Sequence, residues 1–269
     1  MRRRSFAFFL LVTVCLACVA TLVSAGCGAH HRADPAVYPA PATDYFGRRT
    51  QERLAPEQAD AAVVFVGGFG EPILTRVRAA YERMPVLPLP GKQYRAFYAW
   101  DGGKGWLLAH NTRVLQEDLR AFLQVNPQAN LVFVGHSYGG SAVMDALRHL
   151  GPVSGRVIVV TLDPVSRRER SAPRERAAGV DYWINVYCDE KRTLRDAIVS
   201  LGGPWGDCPQ ADENYAFLGT ERDAHGKRFQ HGYPEPLFYE KMPGQSESAY
   251  ERLADACRRL CAQPVYDGK

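Results

Sequence analysis

Along the chain, short unbroken apolar runs take turns with stretches whose apolar residues recur every three or four positions. "AAVVFVGG" (61–68) is an apolar run ending in glycine, the pattern of a strand buried on both faces. A helical stretch follows over 71–83, and then "QYRAFYAW" (93–100), aromatic-rich, stops at the turn "DGGKG". From Leu107 to Gln124 the residues Leu108, Leu115, Leu119, Phe122 and Leu123 fall at helical spacing, and "NPQAN" closes that element. Next come the strand "LVFVG", a helix over 141–150 ended by Gly151 and Pro152, and the strands "RVIVVTLD" and "DYWINVYC". Strands alternating with helices predict an α/β fold, a mostly parallel sheet with helices on both faces, in a single domain over 61–269.

Composition agrees with one substantial core: 46% of the 269 residues are hydrophobic and 23% charged. The first 26 residues stand apart. "MRRR" is a basic start, "SFAFFLLVTVCLACVATLV" an apolar stretch and "VSAGC" a small-residue processing site, which together read as an export signal. The processing site resembles a bacterial lipobox, with Ala25 and Gly26 small and Ser24 where leucine is usual, and that resemblance implies lipid attachment at Cys27. Cleavage after Ala25, or a retained anchor, are the alternatives. Residues 27–60 follow as an Ala/Pro-rich tether and lead-in, in which His30 and His31 read as solvated rather than metal-binding.

Removing the signal takes away three arginines and no acid, so the formal net charge falls from +4 to +1. Bulk charge then gives no support for a nucleic-acid partner, and the mixed-sign run "SRRERSAPRER" reads as a solvated loop. Four cysteines, Cys188, Cys208, Cys257 and Cys261, remain beyond Cys27. An even number in an exported chain fits two disulfides, and of the three pairings the local one, Cys188–Cys208 with Cys257–Cys261, is expected. No CxxC or histidine spacing supports a metal.

The chemistry concentrates at "NLVFVGHSYGGSAVMDAL" (130–147). Gly135-His136-Ser137-Tyr138-Gly139 matches G-x-S-x-G, with the strand before and the helix after that the motif requires. At these residues the chain resembles the α/β-hydrolase superfamily, in particular its small lipase- and esterase-like members, over most of 61 to about 242. That resemblance implies Ser137 as nucleophile, with an acid and then a histidine following it in the chain. The order leaves His231 and His225, and His231, in a loop before a helix start, is preferred to His225 in the polar "ERDAHGKR". For the acid, Asp163 ends "RVIVVTLD" before Pro164 and resembles the position of lipases that carry it one strand early. Asp189 and then Asp207 are the rivals. The oxyanion would be held by backbone N–H groups of Tyr138 and of Gly68 or Phe69 in "GGFGEP", a loop that matches neither G-x-G-x-x-G nor a P-loop.

The expectation is a cofactor-free serine hydrolase acting on carboxylic esters, small or lipid, exported and either tethered to a membrane or secreted. Only residues 164–180 separate the two strands where larger hydrolases insert a cap domain, so no large cap is expected. A thioesterase or amidase on the same residues, and a catalytically idle envelope lipoprotein that keeps the fold, are the alternatives.

Overall fold

The computed structural model describes residues 36–37, 42–43, 49–68, 71, 76–99, 113–166, 174–189, 199, 202–218, 220–226, 229–241 and 244–261. In chain order the elements are β1 (Ala36–Val37), β2 (Ala42–Thr43), β3 (Arg49–Gln51), β4 (Ala61–Val66), α1 (Arg76–Arg83), β5 (Gln93–Tyr98), α2 (Arg113–Val125) and β6 (Asn130–His136). They continue with α3 (Tyr138–Leu150), β7 (Val157–Leu162), β8 (Val165–Ser166), β9 (Tyr182–Asp189), β10 (Gly203–Pro204), β11 (Glu213–Leu218), α4 (Pro234–Tyr239) and α5 (Ala249–Cys261).

Among the described residues one sheet has seven strands in the order β1-β5-β4-β6-β7-β9-β11, and every pairing in it is parallel. The α/β expectation holds at this level. The apolar runs predicted to be buried on both faces are so: β4, β5, β6 and β7 are buried at every residue. Odd and even positions feed separate cores, as the two-residue period of a strand demands. Val63, Phe65, Val132 and Val160 pack with Tyr81 of α1, Leu237 and Phe238 of α4 and Leu253 of α5. On the other face Val64, Val66, Phe133 and Val159 pack with Leu115, Leu119 and Phe122 of α2 and Val143 and Leu147 of α3.

The chain order locates the functional edge. From β4 the chain passes through α1 to β5 on one side, whereas from β6 it passes through α3 to β7 on the other. Adjacent strands β4 and β6 therefore form a topological switch point, and in open α/β sheets the crevice beyond their carboxyl ends is where ligands bind. Gly67 and Gly68 follow β4 there, and Ser137 follows β6.

Besides the two- and three-residue strands β1, β2, β3, β8 and β10, two longer elements escaped the sequence reading, β11 at one edge and α5. The lead-in is also part of the domain. Ala36–Val37 pairs with β5, Glu52 exchanges backbone bonds with Phe97 at 2.7 and 2.8 Å, and Leu54 is buried. Glu52 is itself fully buried, accepting from Arg78 Nη2 and from the Tyr81 hydroxyl, each at 2.8 Å.

Candidate active site

Ser137 stands between β6 and α3 at φ 57° and ψ −126°, a backbone region that L-residues avoid and that marks sites where the surroundings over-determine the chain. The surroundings are glycines with no room for a side chain. A Cβ on Gly139 would lie 2.1 Å from the Val66 carbonyl oxygen, and one on Gly135 would lie 2.7 Å from that of Gly139. β4, the turn and the helix can approach this closely only with glycine at those positions. The helix accordingly starts at Tyr138, three residues before the predicted Ser141, because Gly139 and Gly140 are helical rather than part of the turn.

The backbone of Ser137 is bonded on both sides. Its N–H donates to Leu162 at 3.0 Å, and its carbonyl accepts from Gly140 at 3.1 Å and from Val165 at 3.0 Å. The last of these ties the serine directly to the turn that carries Asp163. Asp163 sits at φ 44°, with its N–H on the Val186 carbonyl at 2.6 Å. Just beyond it β8 pairs with β10, and the Trp205 N–H donates to the Pro164 carbonyl at 3.0 Å.

The side chains of Ser137, His231 and Asp163 form one chain of hydrogen bonds. His231 Nδ1–H donates to Asp163 Oδ2 at 2.6 Å, and the Ser137 hydroxyl donates to His231 Nε2 at 2.9 Å. Asp163 Oδ1 also accepts from the Cys188 backbone N–H at 3.1 Å. Burial opposes the charge on Asp163, but the bond and the charge of His231 and the Cys188 N–H outweigh it and hold the carboxyl below its ordinary pKa. An anionic Asp163 fixes the tautomer of His231 with its Nε2 lone pair facing Ser137. Ser137 and Asp163 are both buried, at 4% exposure.

The rivals lie elsewhere. Asp189, Asp207 and His225 are exposed, and it is Asp163 that bonds the histidine. Gly68 is pressed against the serine, since a Cβ there would lie 2.5 Å from Ser137 Cβ and 3.0 Å from its Oγ. Tyr138 follows Ser137 directly as the first residue of α3. Phe69 and Cys27 lie outside the described residues.

No disulfide joins Cys188, Cys208, Cys257 and Cys261 to one another in the structure. Cys188 packs against the core on one face of the sheet and Cys208 is buried in the core on the other, so a bridge between them would have to cross the sheet. Cys257 and Cys261 are one turn apart on α5, and burial raises both thiol pKa values, that of Cys261 to about 11. Among the described residues no cluster of three or more His, Cys, Asp and Glu side chains is placed to hold a metal ion.

Two residues beside the site went unnoticed in the sequence. His136, treated there as part of the elbow, is buried and its ring centroid lies 5.0 Å from that of His231. Glu71 is also buried; its carboxylate accepts from the Arg78 N–H at 3.0 Å, and its Cγ would stand 2.4 Å from a Cβ on Gly67. An acid directly after "GGFG" gives no sequence signal of burial. No protein-family model matches the chain, and no curated protein matches it.

Burial raises the pKa of Glu71 from 4.5 to about 8, despite the N–H bonds from Arg78 and Val77 and the charges of Arg76 and Arg78. A folded-state pKa above the unfolded one means the folded protein binds the extra proton. The stability this provides is full below about pH 4.5 and is lost as pH rises through about 8. The Tm of the wild type minus that of Glu71→Gln should therefore fall by on the order of 5–10 °C between pH 5 and pH 9. Taking the difference cancels His136, whose depressed pKa acts in the opposite sense below about pH 6.5. A pH-independent difference by differential scanning fluorimetry would contradict the assignment.

Proposed function

We propose that this chain is a serine hydrolase with the α/β-hydrolase fold, cleaving carboxylic esters through an acyl-enzyme on Ser137. The observation that carries the reading is the continuous hydrogen-bond chain from Ser137 through His231 to Asp163, on a strained serine at the switch point of a parallel sheet.

In this reading His231 Nε2 takes the hydroxyl proton as Ser137 Oγ attacks the ester carbonyl, and Asp163 stabilises the imidazolium that forms. Negative charge gathers on the carbonyl oxygen. The N-terminus of α3, with the Tyr138 N–H, and the backbone after β4 at Gly68 and Phe69 supply the donors that meet it. Collapse expels the alkoxide, which leaves with the proton from His231 Nε2. Water then enters, gives its proton to the same nitrogen and releases the carboxylic acid, restoring Ser137.

The proposed substrates are carboxylic esters, short acyl esters and lipids included, since the sequence gives no room for a large cap between 164 and 180. Export follows from the N-terminal signal, and lipidation at Cys27 would hold the domain close to a bilayer. Among the described residues no helix is long and apolar enough to cross a membrane.

With p-nitrophenyl esters of graded chain length, Ser137→Ala should lower kcat by on the order of 10⁴–10⁶. Asp163→Asn should cost roughly 10²–10⁴ through loss of the correct histidine tautomer, whereas Asp189→Asn should change kcat less than about twofold. Wild-type turnover in Ser137→Ala, or a large loss confined to Asp189→Asn, would overturn the assignment. For the anchor, Cys27→Ser should move the protein from the detergent-extracted membrane fraction to the soluble fraction or leave it as unprocessed precursor. A free N-terminus at Gly26 in the mature wild type would mean ordinary secretion.

A further inference from the structure

His231 sits in a turn between β11 and α4, with no regular secondary structure to hold it. Within that turn the Tyr233 N–H donates to the Gln230 carbonyl at 2.9 Å. A loop histidine whose Nε2 must remain 2.9 Å from Ser137 Oγ needs its backbone fixed from outside, because misplacement of about 1 Å can cost on the order of 10² in rate.

Two side chains provide that fixation. His136 Nε2–H donates to the carbonyl oxygen of His231 at 2.7 Å, and the two ring planes are tilted by 35° with their centres 5.0 Å apart. Arg76, the first residue of α1, donates from Nη1 to the carbonyl oxygen of Gly232 and sets its guanidinium 4.7 Å from the centre of the Tyr233 ring. A Cβ on Gly232 would stand 2.8 Å from Arg76 Nη1, so the glycine is what lets the guanidinium reach the backbone.

We propose that His136 and Arg76 are positioning residues that clamp two successive carbonyls of the His231 loop, so that the elbow carrying the nucleophile also holds its base. His136 couples the loop to the elbow directly. It adjoins Ser137 in the chain, so any shift of the elbow moves the serine and the histidine's support together.

The tautomer suits this role. Donation from Nε2 leaves Nδ1 as a bare lone pair, and that atom is buried with no hydrogen-bond partner among the described residues. Burial, and then the nearby His231, push the His136 pKa down to about 3. The ring therefore stays neutral while the imidazolium of His231 forms beside it, and it adds no like charge at the moment of reaction.

The inference rests on reading Ser137 as the nucleophile, and the test separates the two. His136→Leu keeps apolar bulk but cannot donate; His136→Gln offers an amide N–H in place of Nε2–H; Arg76→Met removes the second grip. Two readouts are taken: kcat and KM on a p-nitrophenyl ester, and the downfield proton resonance of His231 Nδ1–H bonded to Asp163. His136→Leu should lower kcat by about 10- to 100-fold with KM within about twofold, and should broaden or abolish the downfield resonance. His136→Gln should recover kcat to within roughly threefold of wild type and restore the resonance, a rescue that loss of packing alone would not produce. Arg76→Met should lower kcat by about 3- to 10-fold.

Wild-type kcat and an unchanged resonance in His136→Leu, or His136→Gln as impaired as His136→Leu, would overturn the clamp. If His136→Leu fails to fold, Arg76→Met decides, and wild-type kcat with an unchanged resonance in it counts against the proposal. A wild type that turns over no ester refutes the hydrolase reading alone, and the resonance in the variants still decides the clamp.

Discussion

Holding Ser137 at φ 57° and ψ −126° costs on the order of 1–3 kcal/mol, and the site depends on the turn that bears this cost. Three backbone hydrogen bonds at 3.0–3.1 Å pin the residue, and glycines at 135, 139 and 140 let the strand and the helix close on it. A Cβ on Gly140 would meet Pro164 at 2.8 Å, so the same glycine that permits the elbow permits the acid's turn to pack on it. The strain is local, and the parallel sheet, buried on both faces, supplies the rigidity that maintains it.

From that turn the rest of the site follows by contact. The Ser137 carbonyl accepts from Val165, two residues past Asp163, so serine and acid are joined through the backbone. His136, one residue before the serine, grips the loop that carries His231. The polar members of the site thus come from three distant parts of the chain yet are all referred to one elbow. Charge is managed with equal economy. Asp163 is held anionic by the N–H groups around it, and His136 is held neutral by burial, which leaves His231 as the ring that can take up a proton next to the serine.

Much of this was legible in the sequence, for physical reasons that also explain what was not. Continuous apolar runs ending in glycine announce doubly buried parallel strands, and G-x-S-x-G between such a run and a helix announces the elbow. Asp163 and His231 could be reached through the chain order that the hydrolase resemblance implies, together with their places at element ends. The start of α3 was misplaced because Gly139 and Gly140 look like turn residues, whereas they are helical under pressure from β4. The helix α5 was overlooked although Ser248 and Glu251 form a capping box, the Ser248 N–H donating to Glu251 Oε2 at 2.7 Å and the Glu251 N–H to Ser248 Oγ at 3.2 Å. Closeness in the chain also says nothing about which face of a sheet a side chain takes, and Cys188 and Cys208 pack on opposite faces. His136 and Arg76 acquire their meaning only when α1, the elbow and the His231 loop are brought together.

The central claim is that Ser137 is a nucleophile activated in place by its neighbours. Its most direct test is to treat the folded protein with a fluorophosphonate, which loses fluoride on attack by an activated serine oxygen and leaves a stable phosphonyl ester. Intact-mass measurement should show one adduct per chain, and peptide mapping should put it on Ser137. An intact mass that stays unmodified, or an adduct mapped to any other residue, would contradict the account.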